Sequence, residues 1–148
     1  MTSLPITVVT ASVTETENVG RELGQYLLNN GKTDAFIAMY GDLGAGKTAF
    51  VRGLSEVITP GAHVCSPTYT IVNEYYGGGR TLRHCDMYRI ESDDDLYSIG
   101  FYDYENCVIA AEWCEKIPFA LPEKYIKLTI KKLDNDSREI TIEEVENI

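Results

Sequence analysis

The stretch GDLGAGKT, residues 41–48, constrains this chain more than any other feature, because it fits the pattern G-x-x-x-x-G-K-[ST]. The apolar run FIAMY at residues 36–40 comes directly before it and has the character of a buried parallel strand. The segment TAFVRGLSEVI follows, with the apolar spacing of a helix that ends before the Pro60-Gly61 pair. The order is therefore strand, glycine-rich loop and helix.

A loop of this kind can hold phosphates, because glycines let the backbone fold so that several N–H groups point at one anion. The N-terminus of the following helix adds the positive end of its dipole. Lys47 would reach the β- and γ-phosphates, and Thr48 would place its hydroxyl on Mg²⁺. The alternative, a glycine turn with an exposed lysine, requires a chance match that is rare at ordinary residue frequencies. The sequence contains no Asn-Lys-x-Asp, the usual guanine-reading signature, so we expect ATP.

The rest of the chain alternates between strand and helix patterns. ITVVT at residues 6–10 reads as a strand, and the next segment reads as a helix with Thr14 and Glu17 spaced as a capping box. Residues 69–88 read as a β-hairpin, CVIAA as a second buried strand, and YIKLTIKKL with REITIEEV as a closing hairpin. We predict an α/β fold of the P-loop NTPase type, with three layers, a central mostly parallel (mixed) sheet and added antiparallel hairpins. One domain is expected over residues 1–148.

Composition limits the partners of this domain. The formal net charge of −10 disfavours direct binding to nucleic acid or to an anionic membrane. The N-terminus lacks the basic start and long apolar core of a signal peptide, and no run of 18 apolar residues occurs. The sequence predicts a cytoplasmic protein with no membrane association.

Two carboxylates stand at predicted strand ends, where they could meet the phosphate loop. Asp86 follows LRHC, and Glu112 follows CVIAA. Either could bind Mg²⁺ or orient the attacking water, and the alternative for each is a plain acid at the end of a strand. His84, beside Asp86, is expected to pack or to hydrogen-bond rather than to act as a base.

Two further residues are candidates for nucleotide contacts. Thr68, in SPTYT at residues 66–70, could sense the γ-phosphate in a switch segment, or it could belong to a strand-entry turn. Trp113, the single tryptophan, could stack on the base or could be an ordinary core residue.

GDLGAGKT, SPTYT, HCDMYR and AEW, in this order and in so short a chain, resemble the TsaE family of small bacterial ATPases. The resemblance spans roughly residues 14–145. Ala49 departs from it, since many relatives carry a second threonine there. That position would contribute its backbone amide, so we expect function to be kept.

The resemblance implies ATP binding and hydrolysis in the formation of N6-threonylcarbamoyladenosine at position 37 of tRNA, together with the partners TsaB and TsaD. It implies that Thr48 and Glu112 bind Mg²⁺, that Asp86 and Lys47 act in hydrolysis, and that Trp113 flanks the adenine. The residues implied to contact the nucleotide are Asp42, Gly44, Ala45, Gly46, Lys47, Thr48, Ala49, Thr68 and Trp113. The acidic surface suggests that tRNA is met only through the partners, and we expect a monomer or weak oligomer when the protein is alone.

The arginine content suggests slow turnover by the isolated protein, because no arginine finger is evident. A partner could supply that charge, or it could come from the chain's own Arg52, Arg80, Arg83 or Arg89.

Two other functional classes stay open. A P-loop small-molecule kinase would usually need an arginine-rich lid, whereas the six arginines here are scattered. A non-enzymatic nucleotide switch would bind ATP without turnover.

Overall fold

A computed structural model describes residues 1, 3–41, 46–67 and 70–146. The strands are β1 (Ile6–Thr10), β2 (Phe36–Gly41), β3 (Val72–Gly77), β4 (Arg80–Asp86), β5 (Val108–Glu112), β6 (Lys124–Lys132) and β7 (Arg138–Glu146). The α-helices are α1 (Val13–Asn29), α2 (Lys47–Ile58) and α3 (Asp93–Ser98), with short 3₁₀ turns at Phe101–Asp103, Cys114–Lys116, Pro118–Ala120 and Asp134–Asp136. None of the described helices has both the length and the apolar character needed to cross a membrane.

The strands form one seven-stranded sheet in the order β1-β7-β6-β2-β5-β4-β3. The central four, β6, β2, β5 and β4, run parallel to their neighbours within that group. Antiparallel pairing joins β3 to β4 at one edge, and at the other edge it joins β7 to β6 and β1 to β7. The prediction of an α/β fold with a parallel centre and added hairpins is confirmed.

Helices α1 and α2 cover one face of the sheet. Leu23 and Leu27 of α1 and Phe50 and Leu54 of α2 are fully buried against strand residues such as Ile37. Burying four such large apolar side chains contributes about 1.5–3 kcal/mol each before conformational entropy is counted. This packing fixes α2, and with it the end of the glycine-rich loop, over the centre of the sheet.

A second apolar cluster covers the opposite face over β2, β5 and β4. It combines Leu96 of α3 and Phe101 of the following 3₁₀ turn with Ala38, Cys85 and Ala111 of the strands. The parallel centre is therefore buried on both faces, as parallel sheets require. The three layers are helices, sheet, and α3 with its turns.

The start of α1 differs from the prediction. Ser12, not Thr14, is the N-cap residue: its Oγ accepts a hydrogen bond from the Glu15 amide at 3.1 Å. The Glu15 carboxylate accepts in turn from the Ala11 amide at 2.5 Å. The same Ser/Thr-x-x-Glu spacing occurs at both places in the sequence, and the extended backbone of Ser12 decides which one caps the helix. Glu17 instead lies 3.5 Å from Arg52 of α2.

Candidate functional site

The glycine-rich loop joins the end of β2 to the start of α2. Asp42, Gly44 and Ala45, and also Thr68 of the predicted switch segment, lie outside the described residues. Gly46 is the N-cap of α2 with φ 99°, a left-handed conformation that a side chain disfavours. Lys47, Thr48 and Ala49 then form the first turn of α2, so their amides lie at its positive end.

The Lys47 side chain points into the protein and is only 5% exposed. Its Nζ donates to the carbonyl oxygen of Gly41 at 3.1 Å and lies 3.9 Å from Oε1 of Glu112. It also lies 4.6 Å from the centre of the Trp113 ring, within cation–π distance. The ammonium, the carboxylate and the loop entrance therefore meet at one point.

Glu112 and Asp86 are register partners at the ends of β5 and β4. Both are buried, at 7% and 9% exposure. Since side chains alternate along a strand, His84 faces the same side as Asp86, toward α2. His84 is completely buried, and its Nε2 lies 2.5 Å from Oε2 of Glu112. The structure thus brings Lys47, Glu112, Asp86 and His84 together below the start of α2.

The environment of Asp86 disfavours its charged form. Burial raises the pKa of Asp86 above its ordinary value, and the neighbouring Glu112 charge raises it further. The Tyr88 amide, which donates to Asp86 Oδ1 at 2.9 Å, and the Lys47 charge pull the pKa back only in part. A carboxyl group in this setting is suited to accept or hold a proton.

Trp113 follows Glu112 in a left-handed conformation, φ 60°. Its ring packs against the Tyr88 ring at 5.0 Å between centroids and against the Lys47 ammonium. The tryptophan therefore lies on the side of Lys47 that carries Glu112. The prediction that it flanks the adenine stays a prediction.

A cavity of about 320 Å³ lies on the other side of the α2 start. It is bounded by the β1–α1 turn, by the first turn of α2 and by the β6–β7 turn, with the lining residues Ala11, Ser12, Val13, Thr16, Gly46, Ala49, Asp136 and Arg138. Sequence reasoning gave none of these a role except Gly46 and Ala49. The others carry no motif, and only the sheet order brings β1 and β7 to this side of α2.

Of the four candidate arginines, three have other partners. Arg52 and Arg83 each pair with a glutamate, at 3.5 and 3.3 Å, and Arg80 donates to backbone carbonyls at the C-terminal end of α2. Arg89 is exposed and comes three residues after Asp86. Arg83 lies equally near on the other side of Asp86 in the sequence, but it pairs with Glu74.

Comparison with known proteins decides the family. The family model described as "Threonylcarbamoyl adenosine biosynthesis protein TsaE" matches residues 10–140. The chain belongs to the TsaE family. It is 40% identical over 129 residues to the tRNA threonylcarbamoyladenosine biosynthesis protein TsaE of Haemophilus influenzae, covering 83% of this chain and 79% of that protein. It is 38% identical over 111 residues to TsaE of Bacillus subtilis, covering 75% of this chain and 70% of that protein.

A solved structure supports the same assignment. The crystal structure of Bacillus subtilis YdiB matches with a TM-score of 0.73 and 27% identity, over 97% of this chain and 87% of that one. The resemblance to TsaE inferred from four short motifs is confirmed, and the chain's role lies in threonylcarbamoyladenosine biosynthesis.

Proposed function

We propose that this TsaE-family protein binds ATP with Mg²⁺ at the start of α2 and hydrolyses it in support of N6-threonylcarbamoyladenosine formation at position 37 of tRNA. The observation that carries the proposal is the convergence of Lys47 with Glu112 below the helix N-terminus. A buried lysine beside a buried carboxylate, at the end of a phosphate-loop pattern, supplies a cation for the phosphates and an oxygen ligand for the metal.

The side chains present are suited to Mg²⁺. Glu112 and Asp86 offer carboxylate oxygens and Thr48 offers a hydroxyl, and hard oxygen ligands are those that Mg²⁺ prefers. In our proposal Thr48 and Glu112 hold the ion, and Asp86 accepts a proton from the attacking water. Bound Mg²⁺ would neutralise charge on the β- and γ-phosphates. Lys47 binds the same phosphates, and the amides of the first turn of α2 face them.

We propose that the base and ribose of ATP bind in the 320 Å³ cavity beside Gly46 and Ala49. A nucleoside triphosphate is extended, so its base lies at the opposite end from its γ-phosphate. Lys47, Glu112 and Trp113 occupy the γ-phosphate side, which favours the cavity over Trp113 as the position of the base. Trp113→Ala would then lower the affinity for ATP and for inorganic triphosphate alike. If Trp113 instead stacked on the adenine, the substitution would lower the affinity for ATP alone.

The acidic surface bears on the place of tRNA in this scheme. With a net charge of −10, the protein has no general attraction for a polyanion, so we propose that TsaB and TsaD bring it to tRNA in the cytoplasm. The same partners are proposed to stimulate hydrolysis, either by supplying a positive charge or by placing Arg89 at the phosphates.

The test is ATP hydrolysis by the purified protein with Mg²⁺, alone and then with TsaB, TsaD and tRNA. Glu112→Ala should keep nucleotide binding but abolish the stimulated activity, because it removes the metal and water ligand. The surface variant Glu105→Ala is the matched control and should behave like the wild type.

Tight ATP binding without any stimulated turnover would contradict the ATPase proposal and favour a nucleotide switch. ADP release that depends on an added metabolite would favour a small-molecule kinase.

A further inference from the structure

We propose that His84 is the positioning residue for Glu112: it holds one carboxylate oxygen so that the other faces the phosphate and metal site. The inference rests on the proposed function of Glu112 as a metal ligand, and it assigns to His84 a role beyond packing. His84 would not touch the nucleotide or the ion. It acts only by fixing the Glu112 carboxylate.

The two oxygens of Glu112 have different neighbours. Oε2 lies 2.5 Å from Nε2 of His84 inside the sheet–helix layer, and Oε1 lies 3.9 Å from Nζ of Lys47 at the site. With Glu112 as a carboxylate, which only accepts hydrogen bonds, the shared proton belongs to Nε2 of His84. The bond therefore locks the rotation of the carboxylate and leaves Oε1 for the site.

The strand register makes this contact possible. His84 pairs with Ala110, and Asp86 pairs with Glu112. His84 therefore lies two residues before the register partner of Glu112, on the same face of the sheet. Ala110, the register partner of His84, carries only a methyl group, and the Glu112 carboxylate reaches the imidazole, with Oε2 2.5 Å from Nε2. A ring with zero exposure cannot swing away to another partner.

The surroundings of the other ring nitrogen indicate that packing alone does not explain a histidine at this position. Nδ1 of His84 is buried, and no described residue forms a hydrogen bond with it. An apolar side chain of similar size would fill the same space without leaving a polar atom unsatisfied. The ring's bond to Glu112 is the interaction that such a side chain could not replace.

Removing the ring donor has a defined consequence. Without it the Glu112 carboxylate is free to rotate, and it can turn both oxygens toward Lys47. Residues that orient a metal ligand typically change metal affinity or activity by about 10- to 100-fold when they are mutated. We expect His84→Leu to lower the affinity for the metal ion by a factor in that range. The affinity for nucleotide without metal should stay near that of the wild type.

The conservative variant separates positioning from packing. His84→Gln can place its amide nitrogen near the position of Nε2, so it should restore most of the metal affinity. His84→Asn is polar but too short to reach Glu112, so it should resemble His84→Leu. If the role of His84 were merely structural, the metal affinities of the variants would instead follow their stabilities. Urea titration measures the unfolding midpoint of each variant for this comparison.

The metal measurement uses Mn²⁺ as a paramagnetic probe, titrated onto the protein with a non-hydrolysable ATP analogue and followed by EPR. Glu112→Ala should lower the affinity for Mn²⁺. Adding His84→Leu to the Glu112→Ala variant should lower that affinity no further. If Glu112→Ala weakens Mn²⁺ but His84→Leu and His84→Asn do not, the positioning role is wrong and the proposed metal site stands. If Glu112→Ala has no effect, the metal role of Glu112 is wrong, and the inference falls with it.

A second measurement tests the contact itself in the wild-type protein, without nucleotide or metal. The chain has two histidines, and His63 is exposed whereas His84 is buried. With ¹⁵N-labelled histidine, NMR should show one slowly exchanging ring N–H resonance that survives in His63→Gln and disappears in Glu112→Ala. A protected ring proton that persists in Glu112→Ala, or none in the wild type, would overturn the proposed bond.

Discussion

Helices α1 and α2 touch through glycines, and the variant Gly53→Ala tests how far the site depends on that contact. A Cβ added at Gly53 would lie 1.9 Å from the carbonyl oxygen of Glu17, and one added at Gly20 would lie 2.1 Å from that of Phe50. Real Cβ atoms essentially never come within 3.0 Å of such an atom, so Gly53→Ala must separate the helices locally by about 1.1 Å. Both obstructing atoms belong to the backbone and cannot rotate aside.

The energetic balance follows from this displacement. Overpacking typically costs about 1–3 kcal/mol, and a separation of this size lies at the upper end, because a gap near 1 Å removes up to about half of the dispersion attraction across it. Alanine returns about 1 kcal/mol through its higher helix propensity. The net loss is about 2 kcal/mol, which corresponds to a fall in Tm of about 4–8 °C for a chain of this size.

The assay is thermal unfolding followed by circular dichroism, with nucleotide affinity measured in parallel. Gly24→Ala is the matched control on α1, because its nearest neighbour, Cβ of Val57 at 2.9 Å, requires a shift of only about 0.1 Å, which the gain in helix propensity can offset. We expect Gly24→Ala to be close to neutral. Gly53→Ala should also weaken nucleotide binding, since α2 carries Lys47 at its start. A Gly53→Ala protein as stable as the wild type would refute the close approach of the helices.

Three further predictions concern the site and the start of α1. Lys47→Ala should weaken ATP binding about 10- to 100-fold in equilibrium titration, since a hydrogen bond from a charged group is worth about 1.5–3 kcal/mol. Because the pKa of Asp86 is raised, its charge destabilises the fold above that pKa. Asp86→Asn should therefore stabilise the protein in urea at pH 7, with a gain that shrinks as pH falls through the raised pKa toward the ordinary one; Asp103→Asn, on the surface, should show no such trend. Ser12→Ala should cost about 1 kcal/mol in the same assay, whereas Thr14→Ala should not.

The parts of the fold that follow from local pattern could be predicted from the sequence. The phosphate-loop pattern, the buried β2 and β5 and the hairpins each depend on residues close together in the chain. The cap of α1 was misplaced because two equivalent Ser/Thr-x-x-Glu spacings compete, and only the backbone conformation of Ser12 chooses between them. The contact of Trp113 with Lys47 was also missed, since it depends on a positive φ at Trp113 that no periodicity reveals.

The candidate site depends on strand register in a way that no single motif contains. Asp86 and Glu112 come from strands far apart in the chain and meet because β4 and β5 are parallel and end together. Alternation along β4 then decides which side chains face α2: His84 and Asp86 do, while Cys85 faces the opposite apolar cluster. A one-residue slip of β4 would turn Cys85 toward Lys47 and place two polar side chains in an apolar layer, so burial of that layer holds the site in register. The packing of the second face therefore supports the chemistry of the first.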